Sequence, residues 1–288
     1  MSSPILVGYL ANEQGKAALT LGCQLARSIG TSVEIVMVTG HPATSGGAYP
    51  HAVGPDPIVE KQLSEWLAEA LSFVPGDVAA QARIVAGRSS AKALATTAQY
   101  LGCQMIVVGS AETSIFTRLL AGSVSHALLS GSPVPVAVAP LGYNDPSLVS
   151  RVSCMYDPLH GDFQLFRYAL EHAEDFDVEL RVITLGVGDD LKGSTGVVDT
   201  AESLRSLGID VDGLVQSGRM TFVKAIGKTL RHAITEITWR DGEITIIGST
   251  REASDGRVSA GPFATKLISA IPTPAIMCPA GQFALHGK

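Results

Sequence analysis

The sequence predicts an α/β protein: two doubly wound parallel sheets of five strands each, arranged in tandem. Three observations carry that expectation. Short apolar runs alternate with segments of helical period along the whole chain. At 288 residues the chain is longer than most single domains. Its landmarks also repeat. Gly109 and Gly248, Gly122 and Gly261, and the pairs Pro133/Pro135 and Pro272/Pro274 are all 139 positions apart. An offset of that length means duplication of a whole domain, not a solenoid of short units. Two looser pairs, Tyr9/Tyr156 and Gly87-Arg88/Gly218-Arg219, lie 147 and 131 apart.

In the first half, Pro4–Leu10 is an apolar run of buried-strand type. Ala18, Leu21, Gly22, Leu25, Ala26 and Ile29 then trace one helix face. Ser32–Thr39 is the second strand, and Gly40–Pro57 reads as a loop rich in Gly, Pro, Ala and Ser. Val59 to Leu71 has helical period, Val78–Ala86 is strand-like, and a third helix follows Gly87–Ser90 and ends near Gly102. Met105–Gly109 is the fourth strand, and Gly122–Ser130 the fourth helix. Pro133–Val138 is the fifth strand, its prolines suited to a sheet edge.

The proline- and glycine-bearing stretch 141–150 reads as a linker between a domain over 1–140 and another over 151–288. The second half repeats the series. Strands are expected at Val152–Asp157, Val178–Leu185, Ile209–Gln216, Glu243–Gly248 and Pro272–Met277. Helices are expected at Phe163–Phe176, Val197–Leu207, Gly218 to Trp239 and Gly261–Ala270.

Composition narrows the function. A net charge of −6 without a Lys/Arg cluster speaks against a nucleic-acid-binding surface. Cys23, Cys103, Cys154 and Cys278 are scattered in apolar surroundings, with no zinc spacing, and read as buried thiols. Pro4–Leu10 is too short for a signal-peptide core or a membrane span, so a cytoplasmic location is expected. The seven histidines form no i,i+4 pair, and no metal site is legible. No nucleophile elbow is present. Gly227-Lys228-Thr229 imitates the end of a P-loop, but Phe222 stands where its first glycine should be, and the segment reads as helical.

The stretch that carries chemistry is Gly109 to Ser123, a strand running into a small-residue loop and then a helix start. Free N–H groups and the helix dipole favour an anion there. Gly248 to Gly261 repeats it.

With these residues in hand, each half resembles a universal stress protein domain, of adenine-nucleotide-hydrolase-like, Rossmann-type fold, and the chain resembles a tandem member of that family. The motif is Gly-x2-Gly-x9-Gly-Ser/Thr after the fourth strand. ATP-binding members also carry an Asp at the end of strand one. The resemblance implies an adenine nucleotide, ATP or AMP, contacted by Val38, Gly109, Ser110, Gly122, Ser123 and Val124 in the first half. In the second half it implies Asp157, Gly248, Arg251 and Gly261. It also implies that the fifth strands of the two halves pair with each other, as a pseudo-dimer.

Both copies depart from the motif. In the first, Glu112 replaces the middle glycine and Leu10 stands where the Asp would be. A carboxylate a few ångströms from a triphosphate repels it by about 1 kcal/mol or more at surface dielectric. In the second, Arg251 replaces the middle glycine, and Pro262 removes both a hydroxyl and an N–H. The expectation is therefore a stress-response module with a degenerate, weak nucleotide pocket in each half and no catalytic residues, slow ATP hydrolysis staying open. The alternative is an interaction scaffold that has lost the nucleotide. A homo-oligomer is compatible with either.

Overall fold

The computed structural model describes residues 3–40, 57–110, 124–156, 163–187, 200–249 and 256–279. Among the described residues the first half alternates strand and helix: β1 (Ile5–Gly8), α1 (Glu13–Ile29), β2 (Val33–Thr39), α2 (Pro57–Ser72), β3 (Ala80–Ala86), α3 (Ser90–Tyr100), β4 (Met105–Gly109), α4 (Val124–Leu129) and β5 (Val136–Ala139). The second half runs β6 (Arg151–Met155), α5 (Phe163–Asp175), β7 (Glu179–Val187), α6 (Thr200–Ser206), α7 (Val211–Gln216), β8 (Met220–Gly227), α8 (Leu230–Thr235), β9 (Glu243–Gly248), α9 (Pro262–Ile268) and β10 (Ala275–Cys278).

All ten strands join one sheet in the order β3-β2-β1-β4-β5-β10-β9-β6-β7-β8. Every pairing within a half is parallel. Among the described residues the single antiparallel pairing is β5 with β10, where Val138, Ala137 and Val136 face Ala275, Ile276 and Met277. The fold is thus two doubly wound five-stranded units in tandem. The prolines that suggested an edge strand sit just ahead of β5, and β10 covers the edge they leave. An open apolar edge there would invite pairing with another chain.

Strand alternation sends successive side chains to opposite faces, and each face carries its own core. One core holds Val7, Leu21 and Val107 together with Val152, Phe166 and Ile246, under α1, α2 and α5. The other holds Leu6, Val108 and Leu128 with Ile247 and Leu267, under α3, α4, α8 and α9. All four cysteines are buried, and none forms a disulfide. Helix α1 begins five residues before the apolar stripe that predicts it. Asn12 caps it, its side-chain oxygen accepting the Gly15 N–H at 3.0 Å.

The stretch 141–150, expected as a linker, is a strap tied to both halves. Tyr143 donates its hydroxyl to Gln24 of α1, and the Val149 N–H donates to Ser28 Oγ at 2.9 Å. On the other side, the Gly242 N–H donates to Asp145 Oδ2 at 2.6 Å and Ser150 Oγ donates to the Asp241 carbonyl at 2.6 Å.

The second half departs from the sequence expectation between 209 and 239. Ile209–Gln216 is not a strand. Ile209, Val211 and Val215 mimic strand alternation, but Asp210 caps a short helix by accepting the Gly213 N–H at 3.0 Å. Gly218, at φ +72, lies just past its end in the left-handed conformation that stops helices. The helix expected from Gly218 to Trp239 is instead strand β8, a turn and the short α8. As an edge strand, β8 mixes polar Thr221 and Lys224 among its apolar residues and so hides its period.

This corrects the Gly-Arg landmark and the helical reading of Gly227-Lys228-Thr229, and leaves the rejection of a P-loop in place. Gly87-Arg88-Ser89 corresponds to Gly227-Lys228-Thr229, 140 positions on. Both triplets turn from an edge strand into a helix, with Ser89 and Thr229 as N-caps. A Cβ on Gly87 would come within 2.8 Å of Ala93 Cβ, and one on Gly227 within 2.9 Å of Ala233 Cα. Gly227 is therefore a packing glycine at a strand-to-helix turn.

Candidate functional site

In open α/β sheets the ligand crevice lies beyond the strand ends where the strand order reverses. In the first half that point falls between β1 and β4, with Gly109 at the C-terminal end of β4. Ser125 Oγ donates to the Gly109 carbonyl at 2.9 Å, which folds the start of α4 back over the strand end. Val124, the first residue of α4, is thereby brought to Gly109. The Ser110 N–H is already spent, donating to the Ala139 carbonyl at 2.8 Å and lengthening the β4–β5 ladder.

Gly109 also has a packing duty. A Cβ there would meet the Gln14 carbonyl carbon at 2.7 Å, in the first turn of α1. The glycine lets the start of α1 close down on the end of β4, a contact that no sequence motif announced. The signal that could have found it was Asn12, whose cap sets where α1 begins.

Val38 lies on β2, paired with Val85. Leu10 lies two residues past the end of β1, whose ladder with β2 ends at the Gly8–Val36 pair. Leu10 is 48% exposed. Beside Val38, a hollow of about 370 Å³ opens at the β3–α3 turn, rimmed by Arg88, Ser89 and Lys92. These two exposed cations at a helix start were not singled out by the motif.

In the second half the equivalent strand end is Gly248. A Cβ there would meet only the side chain of Leu165, Cδ2 lying at 3.0 Å. Gly261 caps α9 without a side-chain hydrogen bond, and Pro262 is the first helical residue. The segment before it is bound to the other half. The Val258 N–H donates to the Ser132 carbonyl at 2.8 Å and the Ala260 N–H to the Leu129 carbonyl at 2.7 Å. Those are carbonyls at and just past the end of α4, which the helix itself leaves unpaired. Ser249 Oγ donates to the Cys278 carbonyl and accepts the Ser259 N–H, pinning the segment to β10.

Gly122, Ser123, Asp157 and Arg251, and with them Glu112, lie outside the described residues. Among the described residues no cluster of three or more His, Cys, Asp or Glu side chains gathers as metal ligands. No described helix is long and apolar enough to cross a membrane.

The sequence model of the universal stress protein family matches residues 1–140. Two full-length relatives extend the match. Universal stress protein Rv2319c of Mycobacterium tuberculosis H37Rv and universal stress protein Mb2346c of Mycobacterium bovis are each 29% identical over 300 residues, covering 96% of this chain and 99% of theirs. The chain belongs to the universal stress protein family. Solved structures agree on the fold. A universal stress protein from Archaeoglobus fulgidus superposes with a TM-score of 0.63 at 21% identity, covering 96% of this chain and 97% of its own. A putative universal stress protein from Pseudomonas aeruginosa superposes at 0.56 and 14% identity, covering 96% and 92%. Membership accounts for the α/β architecture, and relatives of matching length bear the family name.

Proposed function

We propose that this family member is a stress-response module that binds an adenine nucleotide, ATP or AMP, weakly and in its first half. The observation that carries this reading is the Gly109 strand end at the reversal of strand order, with α4 folded back over it. The base would lie against Val38 of β2 and the exposed Leu10 beyond β1. The phosphates would be taken by the N–H groups and hydroxyl at Gly122-Ser123, with Arg88 and Lys92 adding positive potential nearby. Glu112 and the missing strand-one Asp weaken it. The second copy, with Arg251 and Pro262, is weaker still. No catalytic residue is assigned, and the protein is read as a binder rather than an enzyme. Domain 1 spans 1–140 and domain 2 spans 151–288, joined as a pseudo-dimer through β5 and β10, in the cytoplasm.

A second reading, an interaction scaffold without nucleotide, is favoured by one feature. In the second half the loop that would cradle phosphate is bonded through Val258 and Ala260 to the first half, and so serves as a joint. The two readings separate by thermal unfolding with ATP or AMP, with and without magnesium. A ligand that binds only the native state raises the melting temperature as its concentration rises. A dose-dependent rise supports the nucleotide reading, and a flat response at millimolar nucleotide supports the scaffold.

A further inference from the structure

Away from the strand ends, a hollow of about 300 Å³ lies along one side of α1. That volume is at the lower end for small-molecule sites. Leu19 and Cys23 of α1 form one wall, and Phe73 and Pro75 beyond α2 form the other. The Cys23 thiol is pushed up to about 12 by burial, so it stays neutral and behaves as an apolar surface.

Two polar groups meet this apolar space. Gln24 is 1% exposed, and its Oε1 accepts the Tyr143 hydroxyl, but its Nε2 has no hydrogen-bond partner. A buried amide N–H left unpaired is rare in native proteins, because the desolvation cost stands uncompensated. Arg27, one helical turn along, is held by Asp77 at 2.9 Å and by the Pro146 carbonyl at 3.0 Å. Those bonds use Nε and Nη1 and fix the guanidinium plane, while Nη2 makes no hydrogen bond among the described residues. Lys16 sits at the rim, its ammonium 6.0 Å from the Phe73 ring centre.

We propose that this hollow binds a compact monocarboxylic acid with an apolar body. The body lies between Leu19 and Phe73, and the carboxylate takes hydrogen bonds from Gln24 Nε2 and Arg27 Nη2. An acceptor is required at this point, because the two unspent groups beside the apolar walls, Gln24 Nε2 and Arg27 Nη2, are both donors. An apolar body is required by the walls. Asn144 and Pro146 of the strap also line the hollow. Its occupant would touch the segment that ties the two halves, at a place separate from the strand-end crevice. The site does not depend on nucleotide binding.

The test is thermal unfolding and ligand-detected NMR of the full chain with benzoate and cyclohexanecarboxylate, against cyclohexylmethanol as the uncharged analogue. Carboxylates are expected to bind at least about tenfold more tightly than the alcohol, the size of a charge-assisted hydrogen bond. Gln24→Leu should remove most of that preference. Thr20→Trp, on the rim, should fill the mouth and abolish binding of all three while leaving the core untouched. If Gln24→Leu does not fold, Thr20→Trp decides alone. Absence of binding to the wild-type chain at millimolar carboxylate overturns the proposal, as does binding that Thr20→Trp leaves intact. Equal binding of acid and alcohol overturns the assignment of the carboxylate.

Discussion

Gly109 and Gly248 occupy equivalent places in the two halves, yet their surroundings predict opposite responses to Ala. At Gly109 the new Cβ would meet backbone, the Gln14 carbonyl carbon at 2.7 Å. Backbone in the first turn of a 17-residue helix cannot swing aside alone. Either α1 shifts or β4 does, and overpacking of this kind costs about 1–3 kcal/mol. At Gly248 the Cβ would meet Leu165 Cδ2 at 3.0 Å, the end of a side chain that can rotate away. Replacing Gly by Ala also removes chain entropy from the unfolded state, a gain of about 0.5–1 kcal/mol where the backbone permits it. Gly109→Ala should therefore lose roughly 1–2 kcal/mol net, while Gly248→Ala should fall within about 0.5 kcal/mol of wild type. Urea denaturation of the nucleotide-free protein, comparing midpoints and slopes, measures both. If the two variants are equally stable, Gly109 has no packing duty, and its glycine must answer to a ligand instead.

Two further predictions follow from buried charge. Glu243 is 1% exposed and is bonded by Arg151 at 2.6 Å and by Arg181, which is 3% exposed and stacks over Trp239. Glu243→Gln should destabilise by about 3–5 kcal/mol, since it leaves cations buried without their anion. Denaturation in high salt should barely change that loss, whereas an exposed pair such as Lys61–Glu65 should contribute nothing measurable. Burial between Tyr168 and Phe176 pushes His172 down from 6.5 to about 4, only partly opposed by the Tyr168 backbone. The unfolded chain then binds the proton first, so stability is full above pH 6.5 and falls as pH drops towards 4. The loss is at most about 3 kcal/mol, and His172→Phe should flatten that part of the pH profile. A wild-type profile already flat between pH 6.5 and 4 would contradict the assigned burial of this ring.

The sequence was legible where structure is periodic and buried. The strands β4, β5, β9 and β10 are apolar runs closed by glycine or opened by proline, and their shared offset marks the internal repeat. It was illegible where polar and apolar residues mix at an edge. β8 carries Lys224 and Thr221 beside Phe222, and Ile209–Gln216 alternates like a strand while Asp210 caps it as a helix. Contacts between distant residues were also out of reach. Nothing in the motif says that Gln14 closes under Gly109, or that the strap seats Tyr143 on Gln24. Of the candidate site, β4 ends at Gly109 as its apolar run indicates, while Gly122, Ser123, Asp157 and Arg251 lie outside the described residues. The cations at the β3–α3 turn were missed because their loop was matched to the wrong repeat partner.

The most direct test of the nucleotide reading is calorimetric titration of the full chain with ATP and AMP, set beside the double variant Leu10→Asp plus Glu112→Gly. The account predicts weak binding at one site in the wild-type chain, tightened about tenfold or more when the strand-one carboxylate is restored and the repelling one removed. Binding absent from both proteins, or unchanged by the double substitution, would contradict it.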